Sequence, residues 1–137
     1  MLESNIKESK RWKIQSDYDF DLANRLLKTD HSASCFYFQQ AAEKSIVSYL
    51  ILKGSDKVWG SSISDLAEDS IAIDPTFDFL KSYGPILDKY LYSTRYPTYS
   101  ISGAPYEIFD LDDAEKAKEL SSDVMKFCEE KIKENQW

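Results

Sequence analysis

Residue types that mark particular reaction classes are scarce in this chain of 137 residues. His31 is its only histidine, so paired-histidine zinc patterns and Ser-His-Asp or Cys-His arrangements cannot be built beyond that one imidazole. It follows Asp30, and we interpret it as a surface loop residue. No glycine-rich phosphate loop occurs either. We therefore expect no metal site and no cofactor.

Glycine and proline are also few, with four of each in the whole chain. A β protein with many turns needs more of both, so few and long helical elements are expected. The longest apolar run is about Tyr49 to Leu52, far short of a membrane span. The first residues lack the basic start and apolar continuation of a secretory signal. The sequence therefore predicts a cytoplasmic protein with no membrane partner.

The chain is acidic, with 17 Lys and Arg against 24 Asp and Glu and a net charge of −7. No run of basic residues is present, whereas a protein that holds nucleic acid mainly by its phosphates presents a basic face. Any nucleic-acid contact must therefore be local or supplied by a partner. The two cysteines, Cys35 and Cys128, lie in apolar helical segments, which favours two free buried thiols over a disulfide.

Hydrophobic periodicity predicts helices along most of the chain. Residues 4–28 carry an apolar stripe of Ile14, Tyr18, Leu22 and Leu26, and acids and bases fill the other face. A second helix, from about Ser32 to Lys53, is apolar in nearly every direction and should form the core, ending at Gly54. Asp30 or Ser32 is expected to cap it.

Further helices follow at shorter spacing. One begins near Ser62, capped with Asp65, and ends before Asp74-Pro75. Another runs from Thr76 to Leu91, and Gly84-Pro85 should bend or break it. An irregular loop, 96–110, is expected to pack down on the bundle through its aromatic residues. The last helix begins at about Asp112, with an inward stripe of Ala114, Ala117, Ser121, Val124 and Cys128.

These elements predict one all-α domain over residues 1–137. Long helices joined by short connections favour an antiparallel up-and-down bundle of four long helices plus one or more short helices.

The core helix carries a polar cluster in its middle, formed by Gln39, Gln40, Glu43 and Lys44. Gln40, Glu43 and Lys44 are three or four residues apart and therefore share a face. Because burying an unpaired charge costs several kcal/mol, this face must meet partners or open to a groove. It is either a solvated edge of the bundle or a functional or subunit-contacting groove.

A second cluster, Tyr90 to Pro97, surrounds Arg95. A cation at the end of a helix is favourable against the exposed carbonyl groups, so helix capping is the simplest role for this side chain. An arginine also offers a planar fork for carboxylate or phosphate, and neighbouring tyrosines can stack on a base. We expect Tyr96, which precedes a proline, to be extended, and Glu43 or a neighbouring acid to pair with Arg95.

Taken together, these residues resemble the HEPN domain family of small prokaryotic helical proteins. The resemblance spans almost the whole chain. The segments that carry it are Asp21-Leu22-Ala23, Cys35 to Lys44, Gly60 to Leu66, Leu87-Asp88-Lys89-Tyr90, Thr94-Arg95-Tyr96-Pro97 and Asp112-Asp113-Ala114.

The resemblance implies a helical bundle, a homodimer and pairing with a small nucleotidyltransferase, and it suggests nucleotide binding. Many members are RNases or toxins whose groove uses an arginine followed four to six residues later by a histidine. Here no histidine follows Arg95, and Ser61 stands where relatives often carry one. The expected acid–base group is therefore missing.

Three hypotheses follow. The leading one is a HEPN-like domain without clear catalysis that dimerises, partners a small nucleotidyltransferase and binds a nucleotide or RNA. Its candidate nucleotide or anion contacts are Arg95, Tyr96, Gln40, Glu43 and Lys44, with no catalytic residue assigned. The alternatives are a divergent metal-independent RNase toxin of a toxin–antitoxin pair, using Arg95 with a tyrosine or Glu43, and a purely structural interaction module in which Arg95 caps a helix.

Overall fold

A computed structural model describes residues 2–55 and 62–134. Over these ranges the chain is all α-helical, with no strand, which confirms the predicted bundle. The α-helices are α1 (Glu3–Leu26), α2 (His31–Leu52), α3 (Ile63–Ile73), α4 (Leu80–Tyr92), α5 (Pro105–Ile108) and α6 (Leu111–Glu134). Two 3₁₀ turns, Pro75–Phe79 and Pro97–Tyr99, lie between them. None of these helices combines the length and apolar character that crossing a membrane requires.

Helix α2 is the core helix, as its all-round apolar sequence predicts. Phe38, Ile46 and Leu50 are fully buried in its interior, and neighbours pack against it from α1, α3, α4 and α6. The Asp30 side chain accepts a hydrogen bond from the backbone N–H of Ala33 and caps the helix start. After the last turn Gly54 has φ of +93°, the left-handed geometry that favours glycine.

Helix α1 meets α2 through small residues at intervals of seven. Ser9 bonds to Ser48, Ser16 donates to the Ala41 carbonyl at 2.6 Å, and Ser34 donates to the Ala23 carbonyl at 2.8 Å. Small side chains allow two backbones to approach closely, and each buried hydroxyl finds a carbonyl acceptor. Serine and alanine therefore help to fix the register of this antiparallel pair, together with the contact between Phe20 and Phe38.

The apolar stripe predicted for α1 is wrong in its first half. Ile14 and Tyr18 are exposed by 69% and 54%, whereas Leu22 and Leu26 are half-buried. The small residues occupy the face against α2 and turn Ile14 and Tyr18 outward. The hydrophobic pattern predicted the wrong inward face for this part of α1, because the face that contacts α2 includes the small polar residues Ser9 and Ser16.

Helices α3 and α4 are joined by a side-chain cap. The Asp88 carboxylate in α4 accepts the backbone N–H groups of Ile63 at 2.7 Å and Ser64 at 3.0 Å. Ser62 caps the same helix start by accepting from Asp65, as predicted. Asp88 therefore caps the N-terminus of α3, where a negative charge is favourable.

A bend or a break was predicted at Gly84-Pro85, and the break is wrong: α4 continues through Pro85. Gly84 lies against Ser64, and a Cβ placed on Gly84 would come within 2.7 Å of the Ser64 Oγ. The absent side chain permits the close contact between α3 and α4. Pro85 is the sixth residue of α4, and its side chain is exposed.

Helix α6 presents the predicted inward stripe. Ala114, Ala117, Ser121, Val124 and Cys128 are buried, and the Ser121 hydroxyl donates to the Phe38 carbonyl at 2.7 Å. Cys35 and Cys128 are both buried free thiols, as expected. Burial raises the pKa of each thiol to about 12.

The segment 96–110 differs from its prediction in two respects. It is not wholly irregular, since the turn Pro97–Tyr99 and helix α5 each start at a proline, which suits the first helical position. Only part of it packs down: Phe109 contacts Tyr90, whereas Tyr99 and Tyr106 are exposed by 63% and 72%. Of these two exposed rings, Tyr99 stacks on Tyr92, whose ring lies beside Arg95.

Candidate functional site

Arg95 follows the C-terminus of α4 and folds back on it. Its Nε and Nη2 atoms donate to the Leu91 carbonyl at 2.9 and 2.6 Å. The Thr94 hydroxyl donates to the Tyr90 carbonyl at 2.5 Å, so two side chains satisfy the last carbonyls of the helix. Tyr96 then adopts the extended geometry predicted for a residue before proline, with φ −122° and ψ 122°. The capping role of Arg95 is thus present.

The guanidinium of Arg95 lies among aromatic rings. Its Cζ atom is 4.3 Å from the centroid of Phe36, 5.2 Å from that of Tyr96 and 5.6 Å from that of Tyr92. Phe36 belongs to α2, so this contact fastens the end of α4 to the core helix. Cation–π attraction of this kind contributes about 0.5–1 kcal/mol at an exposed site.

The predicted ion pair between Arg95 and Glu43 is wrong. No carboxylate of residues 2–55 or 62–134 lies within ion-pairing distance of Arg95. Glu43 is only 4% exposed and accepts a hydrogen bond from Gln39 at 3.1 Å. The acid is turned into the bundle, whereas the arginine is at the surface.

Three exposed tyrosines extend the surface around Arg95. Tyr92 and Tyr99 stack with their centroids 6.0 Å apart and their planes at 25°, and Tyr96 lies 6.5 Å from Tyr92. The exposed fraction is 52% for Tyr92, 49% for Tyr96 and 63% for Tyr99. We call this surface the Arg95–tyrosine patch: Phe36, Tyr92, Arg95, Tyr96 and Tyr99. It presents flat ring faces around one cation.

The charge near this patch differs from that of the chain as a whole. Residues 89–106 contain no Asp or Glu, although the protein carries a net charge of −7. Lys89 and Arg95 are the only charged residues in that stretch. Within this stretch, therefore, no acid competes with Arg95 for an approaching anion.

The polar cluster of α2 is divided between two directions. Gln39 is fully buried, receives a hydrogen bond from Gln40 at 2.7 Å and donates to Glu43. Lys44 points instead toward α1, where it forms an ion pair with the buried Asp19. These contacts explain how α2 tolerates the polar cluster, because each of its four side chains has a polar partner within the bundle.

The predicted site residues therefore do not form one cluster. Arg95 and Tyr96 are together, Gln40 is half-buried one helical turn beyond Phe36, and Glu43 lies inside. Lys44 lines a separate groove of about 500 Å³ with Trp12 and Gln15. Ser61, which the sequence also singled out, lies outside the described residues.

Sequence reasoning missed Phe36 as a site residue, although it named the tyrosines around Arg95. The signal for Phe36 was its spacing of four from Gln40, which places both on one face of α2. Tyr92 and Tyr96 have the same spacing, but the helix ends between them. The fold-back of Arg95 could not be predicted from that spacing.

The Arg95–tyrosine patch contains no histidine, cysteine or carboxylate side chain. No group of three or more His, Cys, Asp or Glu side chains is arranged to hold a metal ion among residues 2–55 and 62–134. His31 begins α2 and is half-buried, so it is not the loop residue that was predicted. The backbone N–H of Asp113 is the main cause of the lowered pKa of Asp110, and His31 adds a smaller Coulombic contribution. The patch offers a guanidinium, tyrosine hydroxyls and ring faces, which suit binding.

Comparison with known proteins agrees with this architecture. The sequence profile of the HEPN domain matches residues 9–131, which is most of the chain. The chain belongs to the HEPN domain family. No curated protein sequence matches it.

Two solved structures are similar to this HEPN chain. TT1696 from Thermus thermophilus is 31% identical with a TM-score of 0.82, and the match covers 90% of this chain and 97% of that one. ST0689, an archaeal HEPN homologue, is 28% identical with a TM-score of 0.73, with the same coverage. The similarity therefore extends over whole domains.

Proposed function

We propose that this HEPN domain binds single-stranded RNA or a nucleotide at the Arg95–tyrosine patch, without cleaving it. The guanidinium contacts a phosphate, while Tyr92, Tyr96 and Tyr99 stack on bases. Tyrosine platforms of this kind contribute about 1–3 kcal/mol per stacked base. Gln40, one turn beyond Phe36, is proposed to contact the same ligand.

The observation that carries this proposal is the state of Arg95. Its side chain is held by the Leu91 carbonyl and the Phe36 ring, and no carboxylate of the described residues neutralises it. A guanidinium fixed in this way keeps donors available for a planar anion and loses little side-chain freedom on binding. Glu43 and Lys44 are proposed to act indirectly, by holding α2 in place.

A noncatalytic role fits the chemistry of the patch. Cleavage of RNA without a metal needs a group that takes the proton of the 2′-hydroxyl and a group that protonates the leaving oxygen. No imidazole follows Arg95, and Glu43 is buried against Gln39. The RNase alternative would require a tyrosine hydroxyl to serve in this role.

We also propose that the domain forms a homodimer and pairs with a small nucleotidyltransferase, as membership of the family suggests. The exposed apolar side chains of Ile14 and Tyr18 support this, since they leave surface on α1 that the chain itself does not cover. Sedimentation velocity tests the dimer. Co-expression with a nucleotidyltransferase encoded beside this gene, followed by size exclusion, tests the pairing.

RNA binding is tested by titrating the purified protein into a labelled single-stranded oligouridine and following fluorescence anisotropy. AMP and ATP, added as competitors, distinguish a mononucleotide site from a polymer site, and a duplex of equal length is the control. We expect binding to the single strand and weak binding to the duplex, because bases in a duplex cannot stack on tyrosine. Intact RNA after long incubation supports binding without cleavage; fragments that disappear with Arg95→Ala would indicate the RNase instead.

A further inference from the structure

Helix α3 and the start of α4 enclose a groove on a different part of the molecule from the Arg95–tyrosine patch. Its volume is about 500 Å³, and its lining residues are Ser64, Ala67, Glu68, Ile71, Ala72 and Lys81. Ala67 is buried at its floor, Ile71 is half-buried and Ala72 is exposed. Small residues on the floor and side of a groove leave room for the larger side chains of another helix.

The α3 side of this groove carries charge of one sign, and the one lysine of the lining, Lys81, belongs to the opposite wall. Residues 58–80 contain five acidic residues and no Lys, Arg or His. Glu68 and Asp69 are exposed, and neither forms an ion pair with another described residue. Lys81, at the far wall, is neutralised by Asp78 at 3.0 Å. The rim along α3 is therefore acidic and without cations of its own.

We propose that this groove is a docking surface for a basic amphipathic helix of a partner protein. Apolar side chains of that helix enter between Ala67, Ile71 and Ala72, and its Lys or Arg residues face Glu68 and Asp69. In this helix-in-groove mode of binding, the apolar face of the helix is buried in the groove, and complementary charges at the rim provide specificity. Nucleic acid and anionic membranes are disfavoured as occupants because their charge has the same sign as the rim.

The fixed position of α3 favours this use. Asp88 and Ser62 cap its N-terminus, and the contact of Gly84 with Ser64 holds it against α4. A groove whose walls are already fixed loses little conformational freedom when it is filled. The docking surface goes beyond the proposed RNA site and is independent of it, because no residue of the Arg95–tyrosine patch lines the groove.

The test uses the full chain and a labelled synthetic peptide of about 18 Leu and Lys residues arranged as an amphipathic helix. A peptide of the same composition in scrambled order, which cannot form one apolar face, is the control for plain charge attraction. Anisotropy is measured in about 150 mM NaCl, where exposed charges are screened. We expect the amphipathic peptide to bind at least about tenfold more tightly than the scrambled one.

Matched variants locate the binding. Ala72→Arg fills the groove, and Glu68→Lys with Asp69→Lys reverses its rim; both should weaken peptide binding at least about tenfold. The control, Glu115→Lys with Glu119→Lys, makes the same change of charge at exposed positions on α6 and should leave binding within about twofold. Thermal melts verify that each variant is folded.

Any of the following results would overturn the proposal: equal binding of the two peptides, equal loss in the α6 control, or no loss in Ala72→Arg. A concentration-dependent dimer that Ala72→Arg abolishes would also overturn it, because the occupant would then be a second copy of this chain. RNA binding and peptide binding are both measured on Arg95→Ala and on the groove variants, which distinguishes the two sites. If Arg95→Ala loses RNA binding but keeps peptide binding, the result supports the RNA site in the patch and leaves the groove proposal unchanged.

Discussion

Arg95 lies over the ring of Phe36, with 4.3 Å between the guanidinium carbon and the ring centroid. The two residues are far apart in the chain, one just after α4 and the other in the first turns of α2. The contact brings a cation onto an aromatic face and leaves it without a carboxylate partner among the described residues. It also places Arg95 at the centre of a surface whose other members are exposed tyrosines.

The stacked pair Tyr92 and Tyr99 should contribute directly to RNA affinity. We expect Tyr99→Leu to weaken binding of single-stranded oligouridine by about 1–3 kcal/mol, because leucine has no ring face for a base. Stability should change little, since Tyr99 is largely exposed. Anisotropy titration measures the first effect and thermal unfolding the second.

Tyr106→Leu is the matched control for that change. Tyr106 is even more exposed than Tyr99, and it makes no ring contact with another described residue. An equal loss of affinity in both variants would mean that the stacked pair has no special role.

Asp88 should stabilise the domain through the N-terminus of α3. Replacing it by alanine leaves the N–H groups of Ile63 and Ser64 without their acceptor, so we expect a loss of about 1–2 kcal/mol in the free energy of unfolding. Urea unfolding followed by circular dichroism measures it. Asp88→Asn retains one acceptor oxygen and should lose less; an unchanged midpoint in Asp88→Ala would show that solvent replaces the cap.

Lys44 should matter for stability and not for RNA binding. Lys44→Ala leaves the buried Asp19 carboxylate with Gln15 as its remaining side-chain partner among the described residues. We expect a cost near the lower end of the about 3–5 kcal/mol seen when a buried ion pair loses one member. Lys81→Ala, which breaks an exposed pair with Asp78, should cost less than about 1 kcal/mol.

RNA affinity of the folded Lys44→Ala variant separates its two possible roles. Binding equal to that of the original protein is expected, since Lys44 faces α1. Tenfold weaker binding would instead place Lys44 in the ligand site.

Asp74 should make stability depend on pH in the acid range. Hydrogen bonds from the Thr76 side chain, and next from Lys131, lower the pKa of Asp74 from 3.8 to about 2. A carboxyl whose pKa is lower in the folded chain binds fewer protons there than in the unfolded chain. Its stabilising effect is therefore complete above about pH 4 and is lost as pH falls toward 2.

The measurement is the urea midpoint of the original protein and of Asp74→Asn between pH 2 and 6. The difference between them should shrink as pH falls through this window. A difference that stays constant from pH 6 to pH 2 would contradict the lowered pKa.

Much of the fold could be predicted because local chemistry and packing agree in α2. Its apolar surface, the Asp30 cap and the left-handed Gly54 together give its position and both ends. The inward face of α1 could not be predicted from hydrophobicity, because serines that donate to carbonyls of α2 form it. These partners lie far away in the sequence, and only the packed structure brings them together.

The candidate site was predicted in part. Arg95 and Tyr96 stood out by residue type and by the proline that follows them. The expected link from Arg95 to Glu43 failed because Arg95 contacts α2 at Phe36, and Glu43 lies two helical turns, about 10 Å, further along the axis. Glu43 is also buried and accepts a hydrogen bond from Gln39. Which side faces the end of α4 depends on helix packing.

The most direct test of the central claim compares two arginines in the same RNA titration. Arg95 and Arg25 each lie over a tyrosine ring, at 5.6 Å from Tyr92 and 5.8 Å from Tyr18, but Arg25 is paired with Asp21. We predict that Arg95→Ala weakens binding of single-stranded oligouridine at least about tenfold, or about 1.4 kcal/mol, whereas Arg25→Ala changes it less than about twofold. Equal affinities for Arg95→Ala and the original protein, with both folded, would contradict the assignment of the Arg95–tyrosine patch as the RNA-binding site.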